Sequence, residues 1–255
     1  MDLEHKVALV TGGAHRVGKA IALALADAGA HVVIHYGSSE AEAHETVREL
    51  KSRGVQALAV QADLGDPAAI KRLFEAVSER FNRLDILVNS AANFVKQPFD
   101  EVTLDDWKTV MQVNLRAPFF CTQQAARLMR TVHRPADQPA AIVNISDLAG
   151  VYPWRDFVQH GVAKAGLIHL TKISARELGP DVRVNAITPG AILPPSNLSP
   201  DSPRWKRMGE SVPLLRTGHP DYVAQTAIFL AQNDYITGAV IPVDGGEHLI
   251  GVGIH

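Results

Sequence analysis

Short runs rich in β-branched residues recur along this chain, most of them followed by a longer amphipathic segment, and this alternation restricts the fold more than any other feature of the sequence. The first run, residues 7–10, leads through a glycine turn into a helical pattern over 17–28. Further strand-like runs fall at 32–35, 55–60, 86–88, 141–145, 182–187 and 240–243, with helical patterns between most of them. Strand-helix-strand order repeated this often implies a parallel sheet of about seven strands covered by helices on both faces, an α/β doubly wound architecture. The 255 residues, 46% of them hydrophobic, suffice for one sizeable core, and no composition break marks a linker. One Rossmann-type domain over 1–255 is therefore expected, with 191–213, whose part at 193–203 is rich in Pro and Ser, as either a lid over a cleft or a plain surface loop.

Charge excludes some partners. Twenty-five Lys and Arg against 27 Asp and Glu leave a net charge of -2, so no overall field draws the chain to nucleic acid or to an anionic membrane. The ligand expected is small. No apolar run is long enough to cross a bilayer. With no signal-type apolar region at the start and a single cysteine, Cys121, a reducing cytoplasm is the expected compartment. Cys121 reads as a small buried residue in a helix, and no metal-ligand spacing occurs.

Local signals place several boundaries. Asp66-Pro67 supplies an N-cap and a first-position proline for the third helix, and Leu178-Gly179-Pro180 stops a later one. Ser39 with Glu42 three residues on could close a capping box. If 106–129 is one helix, Pro118 has no N–H for the carbonyl four residues earlier, which belongs to Asn114, and that carbonyl is left free.

The first strand ends in Thr11-Gly12-Gly13-Ala14-His15-Arg16-Val17-Gly18. Glycines between a strand and a helix allow a tight turn and close approach of a pyrophosphate, whose charge is stabilised by free N–H groups and the helix dipole, so the turn is expected to bind a dinucleotide. An NAD site would place an acidic side chain at the end of the second strand. This chain has His35, Tyr36, Gly37, Ser38 and Ser39 there, with Arg16 nearby, a set able to hold a 2'-phosphate, and NADPH is the expected cofactor.

Thr11-Gly12 with Gly18, Asn89-Ser90-Ala91-Ala92, Asn114, the segment around Lys164, and Pro189-Gly190 fall in an order and spacing that resemble the short-chain dehydrogenase/reductase family over nearly the whole chain. Ile236-Thr237-Gly238 and Val243-Asp244-Gly245-Gly246 resemble that family's last strand and its approach. Arg16 in place of the turn's middle glycine, His35-Tyr36 and Asp147 are similar to the pteridine reductase branch.

The resemblance implies a cofactor site at Gly12, His15, Arg16, Val17 and Gly18, at Asp63 and Leu64 near the adenine, at Asn89 and Ala91, and at Pro189, Gly190 and Ile192. It implies that Asn114 holds a water on a proton path and that Lys164 meets the nicotinamide ribose and lowers the proton donor's pKa. Asp147 stands where the family usually has serine, with Ser146 as the fallback. His160, one helical turn before Lys164, stands where the family has its catalytic tyrosine. A neutral imidazole donates poorly and an imidazolium well, and Asp147 would favour that charge while Lys164 opposes it. The expected activity is reduction that strengthens toward mildly acidic pH. The competing expectations are a cofactor-binding sensor or scaffold that has lost its chemistry, or rescue by another donor such as Tyr152. Phe94, Trp154 and Trp205 are candidate substrate walls, which suits a pterin-like heteroaromatic. A 3-oxoacyl thioester or another ketone is the alternative substrate. Arg204-Trp205-Lys206-Arg207 could meet an anionic tail. A homotetramer is carried over from the family.

Overall fold

Residue alternation within each strand decides what can cover it. In β1 (Val7–Thr11), Val7 and Leu9 point to one side of the sheet and Ala8 and Val10 to the other, and all four are buried. A strand apolar on both sides has to be covered twice, which is why its sequence reads as continuously hydrophobic. The computed structural model, which describes residues 1–135, 137–195 and 198–250, meets that requirement. After β1 come β2 (His31–Tyr36), β3 (Ala57–Gln61), β4 (Ile86–Asn89), β5 (Ala140–Ile145), β6 (Val182–Pro189) and β7 (Val240–Val243). They form one parallel sheet in the order β3-β2-β1-β4-β5-β6-β7.

The helices are α1 (Arg16–Asp27), α2 (Glu40–Lys51), α3 (Pro67–Phe81), α4 (Leu104–Met111), α5 (Ala117–Arg130), α6 (Val158–Leu178), α7 (Pro203–Glu210) and α8 (Pro220–Gln232). Side chains of α1, α2 and α8 share a core with Ala8 and Val10, and those of α3, α5 and α6 share the other with Val7 and Leu9. Among the described residues no helix is long and apolar enough to cross a membrane.

Three local expectations change. The helix expected over 106–129 is interrupted: α4 ends at Met111, Gln112–Arg116 is a π turn, and α5 restarts at Ala117. Pro118 thereby sits in the first turn of α5, where a missing N–H leaves little unsatisfied, and the π turn takes up the break. Ser39 precedes α2 but its side chain caps nothing, so the expected box is absent. A capping box forms instead at α4, where Thr103 Oγ1 accepts from the Asp106 N–H at 3.2 Å and Asp106 Oδ2 accepts from the Thr103 N–H at 3.1 Å. The Asp66 cap is as expected: its carboxylate accepts from the N–H groups of Ala68 and Ala69 at 2.9 and 3.2 Å. β3 begins at Ala57, two residues late.

The strand order reverses between β1 and β4, so the loops leaving their C-terminal ends run in opposite directions. A cleft opens at that place in such sheets.

Candidate active site

The cleft has a volume of about 2100 Å³ and runs from the glycine turn to α7. The glycines of the turn are enforced by the chain's approach to itself. Gly12 has φ +64°, and a Cβ there would lie 2.9 Å from the Ala91 Cα; a Cβ on Gly18 would lie 2.2 Å from the Gly12 carbonyl oxygen. Behind the turn, Thr11 Oγ1 accepts from the N–H groups of Ser90 and Ala91 at 3.0 and 3.2 Å, joining β1 to the loop after β4. The N-terminus of α1 has neither a side-chain cap nor an acidic residue in its first turn, so its N–H groups and dipole are available to an anion. Arg16 is a non-glycine residue at φ +55°, a conformation that costs about 1–2 kcal/mol. Its Nη2 donates to the Pro194 carbonyl at 2.9 Å, bridging the turn to the loop after β6.

The end of β2 is built differently from the expectation. His35 lines the cleft, but its Nδ1 accepts from the Gly12 N–H at 3.2 Å and its Nε2 donates to the Ala62 carbonyl at 3.0 Å. Burial lowers its pKa, so the ring is neutral at neutral pH. His35 is a strut under the turn with no nitrogen left for a phosphate. Tyr36 packs into the core, and Ser39 lies off the cleft. Arg16 and Ser38 remain, joined by Arg72 of α3, which has no local sequence signal. Asp63 and Leu64 line the next stretch of wall, with Asp63 Oδ1 accepting from the Gly65 N–H at 2.7 Å. Asn89 is not on the cleft: its Nδ2 donates to Asn144 Oδ1 at 2.8 Å, in a buried network beneath the floor. Gly12, His15, Val17, Gly18, Ala91, Pro189, Gly190 and Ile192 are all on the wall as expected.

At the far end, residues from four segments meet. β5 runs through Ile145 and Ser146 to Asp147, and successive residues of this extended segment point apart. Ser146 also lines the cleft, but its hydroxyl is engaged, donating to the Lys164 carbonyl at 3.1 Å. Asp147 faces α6, and its Oδ2 lies 2.5 Å from His160 Nε2. His160 Nδ1 lies 3.2 Å from both the Asn93 carbonyl and Asn114 Nδ2. Asn114, lodged in the π turn, also clamps the Asn93 backbone: its Oδ1 accepts from the Asn93 N–H at 2.7 Å and its Nδ2 donates to the Asn93 carbonyl at 2.8 Å. Its side chain thus acts on His160 directly. Lys164 is 4% exposed and donates through Nζ to the Ile145 carbonyl at 2.8 Å. Burial lowers its pKa, opposed by the charge of Asp147. For Asp147 burial acts upward, but the His160 hydrogen bond, the charges of Lys164 and His160 and the Ala149 N–H outweigh it and hold the carboxyl below its usual range.

Phe94, 54% exposed, stands over this group, with ring centroids 4.7 Å from Phe157, 4.9 Å from His160 and 6.5 Å from Trp154. Trp205 of α7 lines the cleft as a buried residue, and Arg204 and Arg207 line it from the same helix. Phe157 and Asn93 escaped the sequence reading. Phe157 precedes His160 by three positions, a helical spacing that could have exposed it, whereas Asn93 acts through its backbone and carries no signal. Tyr152 does not line the cleft; its hydroxyl donates to the His248 carbonyl at 2.6 Å, which takes away its standing as a substitute donor. Burial pushes the Cys121 thiol up to about 12, so it is an inert core residue.

Residues 12–248 match the family described as Enoyl-(Acyl carrier protein) reductase. The chain is 36% identical over 250 residues to a 3-oxoacyl-[acyl-carrier-protein] reductase of Synechocystis, covering 96% of this chain and 97% of that protein. Among solved structures it is similar to the RhlG/NADP active-site complex of Pseudomonas aeruginosa, with a TM-score of 0.89 and 37% identity over 97% of this chain and 98% of that one. It is also similar to a blue fluorescent protein from a metagenomic library in complex with NADPH, with a TM-score of 0.87 and 34% identity over 96% of this chain and 99% of that one.

Proposed function

This chain belongs to the short-chain dehydrogenase/reductase family, and from that membership we propose that it is an NADPH-dependent reductase of a 3-oxoacyl thioester or related ketone, with Asp147, His160 and Lys164 as its proton-handling group. The observation that carries the proposal is the meeting of these three side chains at one end of a cleft whose other end is the glycine turn. Burying an ammonium and a carboxylate is costly, and Lys164 and Asp147 in a purely structural wall would have no compensating use.

The residues fit the cofactor. Gly12 and Gly18 keep the turn clear of side chains, the uncapped α1 N-terminus suits a pyrophosphate, and Arg16, Ser38 and Arg72 suit a 2'-phosphate where no carboxylate ends β2. Bound NADPH would supply the hydride. Lys164, held by the Ile145 carbonyl, places a positive charge beside Asp147, and Asn114 fixes the Asn93 loop and the His160 ring together. Phe94, Phe157 and Trp154 give the reacting group an apolar wall that keeps water from it. The segment at 191–213, apart from residues 196 and 197, which lie outside the described residues, contributes Ile192, Arg204, Trp205 and Arg207 to the cleft and is proposed as its lid.

The exposed ring of Phe94 also favours a second substrate reading, a pterin-like heteroaromatic stacked on that wall. The test is NADPH and NADH binding by fluorescence titration, then NADPH oxidation with a 3-oxoacyl thioester and with a dihydropterin. NADPH is expected to bind at least about tenfold tighter than NADH, the discrimination of one charge-assisted pair. Consumption with the thioester is the expected result, and consumption with the dihydropterin alone selects the second reading. NADPH bound but never oxidised, with turnover appearing only in His160→Tyr, makes the chain a cofactor-binding scaffold.

A further inference from the structure

We propose that Arg204 and Arg207 of α7 form a site for a phosphate carried on the substrate, at the end remote from its carbonyl group. The inference rests on the thioester reading of this cleft and names the part of the substrate that α7 holds.

The cleft is more basic than the chain. Against a net charge of -2 overall, its wall carries seven Lys and Arg and four Asp and Glu among the described residues. Bound NADPH would account for part of that excess, since Arg16 and Arg72 suit its 2'-phosphate, and Lys164 faces Asp147. Lys96, Arg155, Arg204 and Arg207 remain.

These divide by whether protein already pairs them. Lys96 Nζ lies 3.7 Å and Arg155 Nε 3.9 Å from the same carboxylate, Asp156. Arg204 and Arg207 make neither an ion pair nor a hydrogen bond among the described residues. Glu247, which lines the same cleft, packs instead against Gly190, where a Cβ would lie 2.6 Å from its Oε2. Two cations on the wall are thus left for an outside anion.

Helix α7 gives no reason of its own for them. Ser202 caps it by accepting from the Trp205 N–H at 3.2 Å, Pro203 opens its first turn, and the buried Trp205 fixes it against the cleft. Arg204 falls in the first turn, where the helix dipole disfavours a cation and no acidic residue offsets it. Arg207 follows three positions on, so two like charges share one face, an arrangement that weakens a helix. Lys206, between them, does not line the cleft, and the basic run at 204–207 narrows to two side chains.

The chemistry of the pair favours phosphate. One guanidinium fork fills the two oxygens of a carboxylate, whereas two forks converging on one anion suit the larger set of oxygens on a phosphate. The thiol arms of coenzyme A and of acyl carrier proteins bear such a phosphate, at the end away from the acyl group.

The test compares 3-oxoacyl thioesters of pantetheine and of 4'-phosphopantetheine, which differ by that phosphate alone. Native protein, Arg204→Gln, Arg207→Gln, the double variant and Lys206→Gln are assayed with NADPH in excess. Native protein is expected to favour the phosphorylated arm by about tenfold in kcat/KM, with about threefold from each arginine. The difference should lie in KM, because the phosphate is remote from the reacting carbonyl. Each single variant should keep about threefold, the double variant none, and Lys206→Gln the full native preference. Raising the ionic strength to about 1 M should shrink the native preference and leave the double variant's ratio where it is. The same variants assayed with the coenzyme A and the carrier-protein thioesters identify the source, since the thioester whose KM rises in the double variant is the one whose arm the site takes. Equal kcat/KM for the two arms in native protein, a preference that survives the double variant, or one that disappears in Lys206→Gln overturns the assignment and leaves the reductase reading standing. Bound NADPH that is oxidised with neither arm overturns the reductase reading and the assignment with it.

Discussion

Two carboxylates with depressed pKa values sit at opposite ends of the sheet, and only one is sealed from the cleft. Asp85, just before β4, is fully buried: Oδ2 accepts from Arg83 Nε at 2.8 Å and the Val7 N–H at 2.9 Å, and Oδ1 from Arg83 Nη2 at 2.9 Å and Arg134 Nη2 at 2.8 Å. Asp147, just after β5, has the same direction of pKa shift but is 17% exposed on the cleft wall, where His160 and the Ala149 N–H meet it. A carboxylate sealed in the core with every lone pair met can only hold the fold together, whereas one in a cleft wall that is paired with a histidine can take part in proton handling. A depressed pKa does not separate the two; access to the cleft does.

The largest effect that would test this contrast is on stability. Asp85→Asn leaves Arg83 and Arg134 without their counter-charge and should cost about 3 kcal/mol in denaturant unfolding, while Asp147→Asn stays within about 1–2 kcal/mol. Equal losses in the two variants would erase the distinction. A smaller effect is in acid. Burial pushes the Asp85 carboxyl up, but the Arg83 hydrogen bond, with the Val7 N–H, the Arg83 charge and Arg134, brings it below its ordinary 3.8. Its contribution is therefore complete above that ordinary value and disappears as pH falls through the lower, folded one. The native unfolding midpoint should fall as pH is lowered below about 3.8, and Asp85→Asn should flatten that part of the curve. The smallest effect concerns Ser146, which is next to Asp147 but is bonded to the Lys164 carbonyl. Ser146→Ala should cost about 1 kcal/mol in stability and leave turnover per folded molecule unchanged. A hundredfold loss of turnover would mean that Ser146 reaches the reacting group after all.

The parts of the site legible in the sequence are those fixed by backbone path. Gly12 and Gly18 are glycines because Ala91 and the Gly12 carbonyl leave no room for a Cβ, and a glycine turn between a strand and a helix signals that crowding without any coordinates. Likewise, the pleat gives Ser146 and Asp147 different partners, the Lys164 carbonyl and His160, although both line the cleft. His35, Tyr36 and Ser39 were misread as phosphate ligands for the opposite reason. Whether a polar side chain at a strand end turns into the cleft, braces the turn or packs in the core depends on what the neighbouring loops present to it, and the Gly12 N–H and the Ala62 carbonyl claimed His35.

The sequence by itself determined the parallel sheet, its two covered faces and the turn at its switch point, because period-two burial and glycine-only geometry are local consequences of residue type. It also brought His160 and Lys164 together, one helical turn apart on α6. Tertiary structure alone decided what each ionisable group can do. Asn93, Asn114, Asp147 and His160 come from separate segments, and the hydrogen bonds that occupy both nitrogens of His160 exist only once the π turn, the loop after β4, the end of β5 and α6 have packed together.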